Sequence, residues 1–189
     1  MTIESSRVAS ATTLSFSGQA DLKVSDDASS GVFVRIKSVS ARVGNVPAFL
    51  ELLKSDPEQA DARLTDLVAA VSSDISAAMS HGAAGILYWI EGACPRDFTP
   101  MQYGGLFLEL DRDLLTSARE KGDTVVFIAD EDEPYIDVVS DLPADLFGWD
   151  AACGVSPTDI RPLRSGRMLA DHPDADVRFV GPVPARRTP

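Results

Sequence analysis

The hydrophobic residues fall into short continuous runs that alternate with longer amphipathic stretches. The runs "AAGILYWI" and "DTVVFIA" contain almost no polar residue, and "GVFVRIKSVS" is rich in β-branched and aromatic residues. This pattern predicts β-strands, and strands without a polar face are typical of parallel sheets that are covered on both sides. Two further strands are predicted at "ADLFGWD" and "ADVRFVGP".

The stretch "DPEQADARLTDLVAAVSSDISAAMSHG" has a helical period. Its apolar residues recur at spacings of three and four from Leu64 to Met79, which predicts an amphipathic helix. Asp56 is the expected N-cap, Pro57 the first helical residue and Gly82 the C-terminal stop. A shorter helix is predicted just before it, in "VPAFLELLKSD".

Three more helices are predicted farther along the chain. In "FTPMQYGGLFLELDRDLLTSAREKG", Thr99 is the expected cap and Pro100 the first helical residue. The apolar side of this helix is assigned to its leucines, Leu106, Leu108, Leu110, Leu114 and Leu115. Shorter helices are predicted in "DEPYIDVVSDL" and at the start of "SPTDIRPLRSG".

Strands and helices therefore alternate along most of the chain. This order predicts right-handed βαβ units and a parallel sheet of five strands. An open doubly wound sheet and part of a (β/α)₈ barrel both fit, although 189 residues are few for a barrel, which typically has about 250. Residues 1–30 are predicted to form an N-terminal arm or a hairpin, since "TLSFSGQADLKV" alternates around Gly18 and Gln19.

Composition and charge narrow the function classes. The formal net charge is −12, which disfavours nucleic acid and anionic membranes as partners, because both bind basic surfaces. The sequence has no apolar leader and no run long enough to span a membrane. Cys94 and Cys153 lack CxxC spacing, so we expect a cytoplasmic protein with reduced thiols. His81 and His172 are the only histidines.

Several stretches resemble the uroporphyrinogen decarboxylase superfamily. They are "FLELLKSDPEQADARLTDL", "HGAAGILYWIEGA", "FTPMQYGGLFLELDRDLL", "FGWD" and "ADVRFVGPVPA", in the order in which that family has similar elements. The resemblance extends from Gly31 to Pro182 and implies the central-to-C-terminal part of a (β/α)₈ barrel. The predicted fold is therefore α/β, a partial or shortened TIM-barrel-like domain over residues 31–189 with about five βα units.

In such a fold the functional residues lie on the loops that follow the strands. The candidate ligand-binding residues are Arg35, Lys37, Glu91, Arg96, Asp130, Tyr135, Trp149 and Asp150. Acidic residues prevail on these loops, as in "IADEDE", and an acidic mouth disfavours a polycarboxylate substrate. Cys94 lies next to Pro95 and Arg96, an arginine that would lower the pKa of the thiol, but no histidine is near in sequence to activate it.

The family's catalytic groups are not recognisable at the matching positions. Gly92 and Ala93 follow Glu91, where the decarboxylases have a serine, and "SVSARVGN" lacks their tyrosine. "IADEDE" lacks the His-x-Cys that holds zinc in the methyltransferase branch. We therefore expect no metal and no cofactor, and no catalytic residue can be named.

Two functional hypotheses remain. The first is a member of the superfamily with a degenerate active site that binds a small molecule; if it is active, it is a decarboxylase-like lyase. The second is a non-catalytic binding or assembly module that completes its barrel by dimerisation or with a partner chain, since open sheet edges need cover.

Overall fold

The computed structural model of the chain describes residues 2–8, 11–17, 30–164, 166–169 and 177–180. The strands in these ranges are β1 (Thr2–Val8), β2 (Ala11–Ser17), β3 (Ser30–Lys37), β4 (Gly85–Ile90), β5 (Asp123–Ile128), β6 (Leu146–Trp149), β7 (Arg167–Met168) and β8 (Val177–Val180). The α-helices are α1 (Val46–Ser55), α2 (Pro57–Ser80), α3 (Pro100–Tyr103), α4 (Glu109–Arg119), α5 (Ile136–Val139) and α6 (Pro157–Ile160). A π-helical turn, Gly104–Leu108, joins α3 to α4.

The strands form one sheet in the order β7-β6-β5-β4-β3-β1-β2-β8. From β3 to β7 the neighbouring strands are parallel and follow one another in sequence order. This confirms the predicted α/β class with five parallel strands. The sheet is not a closed barrel in the described ranges, because β7 and β8 stand at its two ends and do not pair.

Two apolar clusters lie on opposite faces of the parallel strands. Ile86, Tyr88 and Ile90 of β4 belong to the larger cluster, which also contains the buried residues of the helices. Leu87 and Trp89 alternate with them and belong to a smaller cluster on the other face, which we call the inner face. A sequential parallel order with right-handed crossovers places all the helices on one face, which is why the two clusters differ in size.

The N-terminal region contains a hairpin of β1 and β2, with Thr2 opposite Ser17. The hairpin predicted around Gly18 and Gln19 falls on residues 18–29, which lie outside the described residues. One strand prediction is wrong. β8 pairs with β2, so "ADVRFVGP" does not continue the parallel series after β6. That place is taken by β7, whose two residues are too few to produce a periodic signal.

The predicted helix boundaries are confirmed. The side chain of Asp56 accepts a hydrogen bond from the backbone N–H of Gln59, and Gly82 has a φ of +85°. Thr99 caps α3 and forms a capping box with Gln102. No helix within the described ranges has the length and apolar character that a membrane span requires.

A buried arginine holds the segment between α5 and β6. Arg164 donates from Nη1 to the carbonyl oxygens of Ser140 at 2.7 Å and Leu142 at 3.0 Å, and from Nη2 to that of Ala144 at 2.8 Å. Its guanidinium carbon lies 4.7 Å from the ring centroid of Phe147. The arginine therefore pairs main-chain carbonyls that the short helix α5 leaves without an internal partner.

Candidate functional site

The candidate site lies at the carboxyl edge of the parallel strands. Backbone hydrogen bonds extend the strand pairing to this edge, from the N–H of Ser38 to Trp89 O and from the N–H of Ala129 to Ile90 O. The loops after β3, β4 and β5 consequently begin side by side. This brings together predicted site residues that are far apart in the sequence.

Asp130 organises the loop that follows β4. Its carboxylate accepts hydrogen bonds from the backbone N–H groups of Gly92 at 3.2 Å and Ala93 at 3.0 Å. Its side chain is only 2% exposed. Gly92 has a φ of +92°, a conformation that favours glycine, so this glycine allows the loop to turn back over Asp130.

Arg96 bridges two carboxylates at the rim of this loop. Its Nη2 atom lies 3.1 Å from Asp97 Oδ2 and 3.3 Å from Asp130 Oδ1. Burial raises the pKa of Asp130, while the hydrogen bonds from the loop and the charge of Arg96 oppose that shift. Of the predicted site residues, Arg96 and Asp130 are therefore in direct contact, and Asp97 joins them.

Cys94 is enclosed by the same carboxylates. Its Sγ lies 3.5 Å from Asp130 Oδ1 and 3.7 Å from Asp97 Oδ2, and the residue is fully buried. Burial and then the negative charge of Asp130 raise the pKa of the thiol to about 12, although Arg96 acts in the opposite direction. Arg96 therefore lowers this pKa as predicted, but burial and Asp130 outweigh its effect, so Cys94 is a protonated thiol at neutral pH.

The donor atoms of Cys94, Asp97 and Asp130 lie within 4.8 Å of one another. A thiolate with two carboxylates is a set of ligands that zinc accepts. However, Arg96 Nη2 contacts the same two carboxylate oxygens that approach the sulfur. The guanidinium of Arg96 thus already supplies the positive charge that pairs with these carboxylates, and we assign no metal to this cluster.

A second group of predicted residues meets on the inner face. Trp89 donates from Nε1 to Glu91 Oε1 at 2.9 Å, and Lys37 Nζ lies 3.9 Å from Glu91 Oε2. The guanidinium carbon of Arg35 lies 5.1 Å from the centroid of the Trp89 ring. Arg35, Lys37 and Glu91 therefore form one cluster with Trp89, which we call the inner-face cluster.

The remaining predicted residues have contacts of their own. Tyr135 donates from its hydroxyl to the carbonyl oxygen of Phe98 at 2.9 Å, beside the β4 loop. Trp149 packs in the cluster on the helical face and donates to the carbonyl oxygen of Val155 at 3.2 Å. Asp150 accepts from the backbone N–H of Ala152 and caps a short 3₁₀ turn. Trp149 and Asp150 thus join neither cluster.

An open cleft of about 340 Å³ lies outside the β4 loop. It is lined by Pro95, Arg96, Glu131, Asp132, Glu133 and Cys153. Arg96 is the only cation among these residues, and its Nη1 is 3.9 Å from Asp132 Oδ2. The cleft therefore has the acidic character that the sequence predicts for the mouth.

Asp111 is a buried ionisable residue that the sequence interpretation missed. The hydroxyl of Tyr88 donates to its Oδ1 at 2.5 Å and the hydroxyl of Tyr103 to its Oδ2 at 3.3 Å. Burial raises the pKa of the carboxyl to about 7. The spacing of Tyr103, Phe107, Asp111 and Leu115 by four residues was the available signal, since it puts the acid on an apolar helical face.

Comparison of the sequence with protein-family models and with curated proteins gives no match in either case. The functional interpretation therefore rests on the fold and on the contacts of the two side-chain clusters at the carboxyl edge of the sheet.

Proposed function

We propose that the protein is a uroporphyrinogen-decarboxylase-like β/α domain that binds a small molecule at the carboxyl edge of its parallel sheet, with a degenerate active site. The sequential parallel strand order supports this proposal, because barrel-forming βα units are arranged in the same way. Four of the five stretches that resemble the superfamily lie in these same units, whereas "ADVRFVGPVPA" contains β8, which pairs with β2.

The observation that carries the proposal is the inner-face cluster. Arg35, Lys37 and Glu91 are three ionisable residues on a face that otherwise carries apolar side chains such as Leu87 and Phe127. Charged groups next to an apolar surface are costly unless they have partners. They commonly mark the place where a pocket fixes the orientation of its ligand.

The β4 loop supports binding in preference to catalysis. Cys94 is protonated and buried, so it is a poor nucleophile. Asp130 is occupied by two backbone N–H groups and by Arg96, so its carboxylate is poorly placed to act as a general base. These contacts stabilise the shape of the mouth.

The binding function can be tested by thermal unfolding with a panel of small carboxylates, phosphates, amines and sugars. A ligand at about 100 times its Kd adds about 2.7 kcal/mol. For a chain of this size that corresponds to a rise of about 5–10 °C in Tm. We expect Glu91→Ala and Trp89→Ala to abolish the rise, and Glu120→Ala, on an exposed residue beyond α4, to retain it. A panel without any rise, or a rise that both cluster variants retain, would contradict the proposed site.

The degenerate nature of the site is tested separately with uroporphyrinogen. We expect no release of carbon dioxide, because the residues that the family uses were not recognised in the sequence. Turnover by the wild-type chain that is lost in Asp130→Asn would show that the site is catalytic.

The alternative function is an assembly module, and the open sheet favours it. In the described part of the chain, β7 stands at one end of the sheet and has only two residues. A partner strand could extend the sheet from this end. Size-exclusion chromatography with light scattering distinguishes the two functions, since a strictly monomeric chain that binds a panel ligand excludes self-assembly.

A further inference from the structure

The inner-face cluster contains a buried hydrogen-bond donor that has no acceptor within the described part of the chain. Among the residues that the structure describes, the Nη1 atom of Arg35 is inaccessible to solvent and has no hydrogen-bond partner. Buried polar groups are almost always paired, and a buried donor without a partner is destabilising. Such an atom calls for an acceptor that the described residues do not supply.

The acidic residue next to Arg35 is already engaged. Glu91 accepts from Trp89 Nε1 with one carboxylate oxygen, and its other oxygen lies 3.9 Å from Lys37 Nζ. Burial lowers the pKa of Arg35, and the charge of Glu91 only partly opposes this. Lys37 and Glu91 balance each other, so Arg35 carries the positive charge of the cluster, and none of the described carboxylates is in direct contact with it.

The orientation of the guanidinium is fixed by an aromatic pair. Arg35 lies over Trp89, and Trp89 stacks on Phe127 with 5.1 Å between the ring centroids and an angle of 22°. A guanidinium held over a ring presents its N–H groups in a fixed plane. This geometry is suited to the two oxygens of a carboxylate or phosphate group.

We propose that Arg35 is the anchor for a compact anion, the carboxylate or phosphate group of a small ligand that binds to the inner face. This inference rests on the proposed binding function and adds the chemical class of the ligand. A single negative charge is favoured, because the mouth is acidic at Glu131, Asp132 and Glu133 and the chain has a net charge of −12.

The first test measures stability without any ligand. Arg35→Met removes the unpaired donor and keeps an apolar side chain over Trp89, so we expect a Tm equal to or higher than that of the wild type. Arg63 is the matched control, because its guanidinium lies 5.7 Å from the Phe49 ring centroid but donates to the carbonyl oxygen of Val43 at 2.6 Å. Arg63→Met should lower the Tm. An equal loss in both variants would show that Arg35 has a structural partner and would overturn the inference.

The second test measures anion binding by the fluorescence of Trp89. The chain has two tryptophans, so Trp149→Phe leaves Trp89 as the reporter. In this background we expect a saturable change on titration with sodium acetate or inorganic phosphate at constant ionic strength. Arg35→Met should weaken binding about tenfold or more, Arg35→Lys less, and Arg63→Met should leave it unchanged.

The outcomes separate this inference from the proposed function. Saturation by acetate alone identifies a carboxylate ligand, and saturation by phosphate alone identifies a phosphate ligand. If neither anion binds, or if binding is unchanged in Arg35→Met, the anion anchor is wrong. Binding of an amine or a sugar that depends on Glu91 would then still support the proposed function, whereas the absence of all binding would refute both.

Discussion

The ionisation of Asp111 should make the stability of this protein depend on pH. Its carboxyl is fully buried between β4 and α4, where it accepts hydrogen bonds from Tyr88 and Tyr103. Burial raises the pKa from 3.8 to about 7 in the folded state. In the unfolded chain the carboxyl is exposed to water and returns to its ordinary value.

The sign of the effect follows from these two pKa values. Below the unfolded pKa the carboxyl of Asp111 is protonated in both states, and its contribution to stability is fully present. Between the two values the unfolded chain releases the proton while the folded chain retains it, so stability falls as the pH rises. Above the folded pKa the loss is complete. At about 1.4 kcal/mol for each tenfold difference in proton affinity, the loss amounts to about 4 kcal/mol.

The perturbation that tests this reasoning is Asp111→Asn, which keeps the size of the side chain and stays neutral. Urea unfolding between about pH 4.5 and about pH 8 gives the free energy of unfolding at each pH. We expect the wild type to lose about 3 kcal/mol relative to the variant over this range, because the carboxyl of the unfolded chain is already mostly ionised at about pH 4.5. Asp113→Asn, on an exposed residue of the same helix, is the control. Parallel pH profiles for the wild type and Asp111→Asn would refute the reasoning.

Two further predictions concern Arg164 and the cysteines. Arg164→Met leaves the carbonyl oxygens of Ser140, Leu142 and Ala144 without their donor. We expect urea unfolding to show a free energy of unfolding that is lower by about 3–5 kcal/mol. A loss below about 1 kcal/mol would contradict the role of this side chain. Alkylation with iodoacetamide, followed by mass spectrometry, should modify the partly exposed Cys153 well before the buried Cys94. The rise of the Cys94 pKa from its ordinary value of 9.0 to about 12 leaves this thiol about a thousandfold less ionised at neutral pH, so equal rates for the two cysteines would refute that rise.

The two clusters at the carboxyl edge could be predicted only in part. The sequence places Glu91 and Asp130 directly after buried strands, and parallel pairing requires such positions to lie near each other. The sequence does not determine which groups these two carboxylates contact. Glu91 continues the inner face of β4 and meets Trp89, while Asp130 turns towards the β4 loop. Trp149 also lies at the carboxyl end of a strand, where a site residue is expected, yet its side chain packs on the helical face.

Local sequence determined the elements of this protein, whereas the tertiary structure determined what surrounds each polar group. Apolar runs, Asp56 and Thr99 as caps, and Gly82 as a stop act within a few residues of themselves, so their effect can be read from the chain. Other strands and helices contribute the atoms that bury Asp111 and raise the pKa of Cys94. They also enclose the Arg35 nitrogen that has no partner among the described residues. Desolvation and hydrogen-bond pairing are properties of the assembled fold, and for that reason only the fold could reveal them.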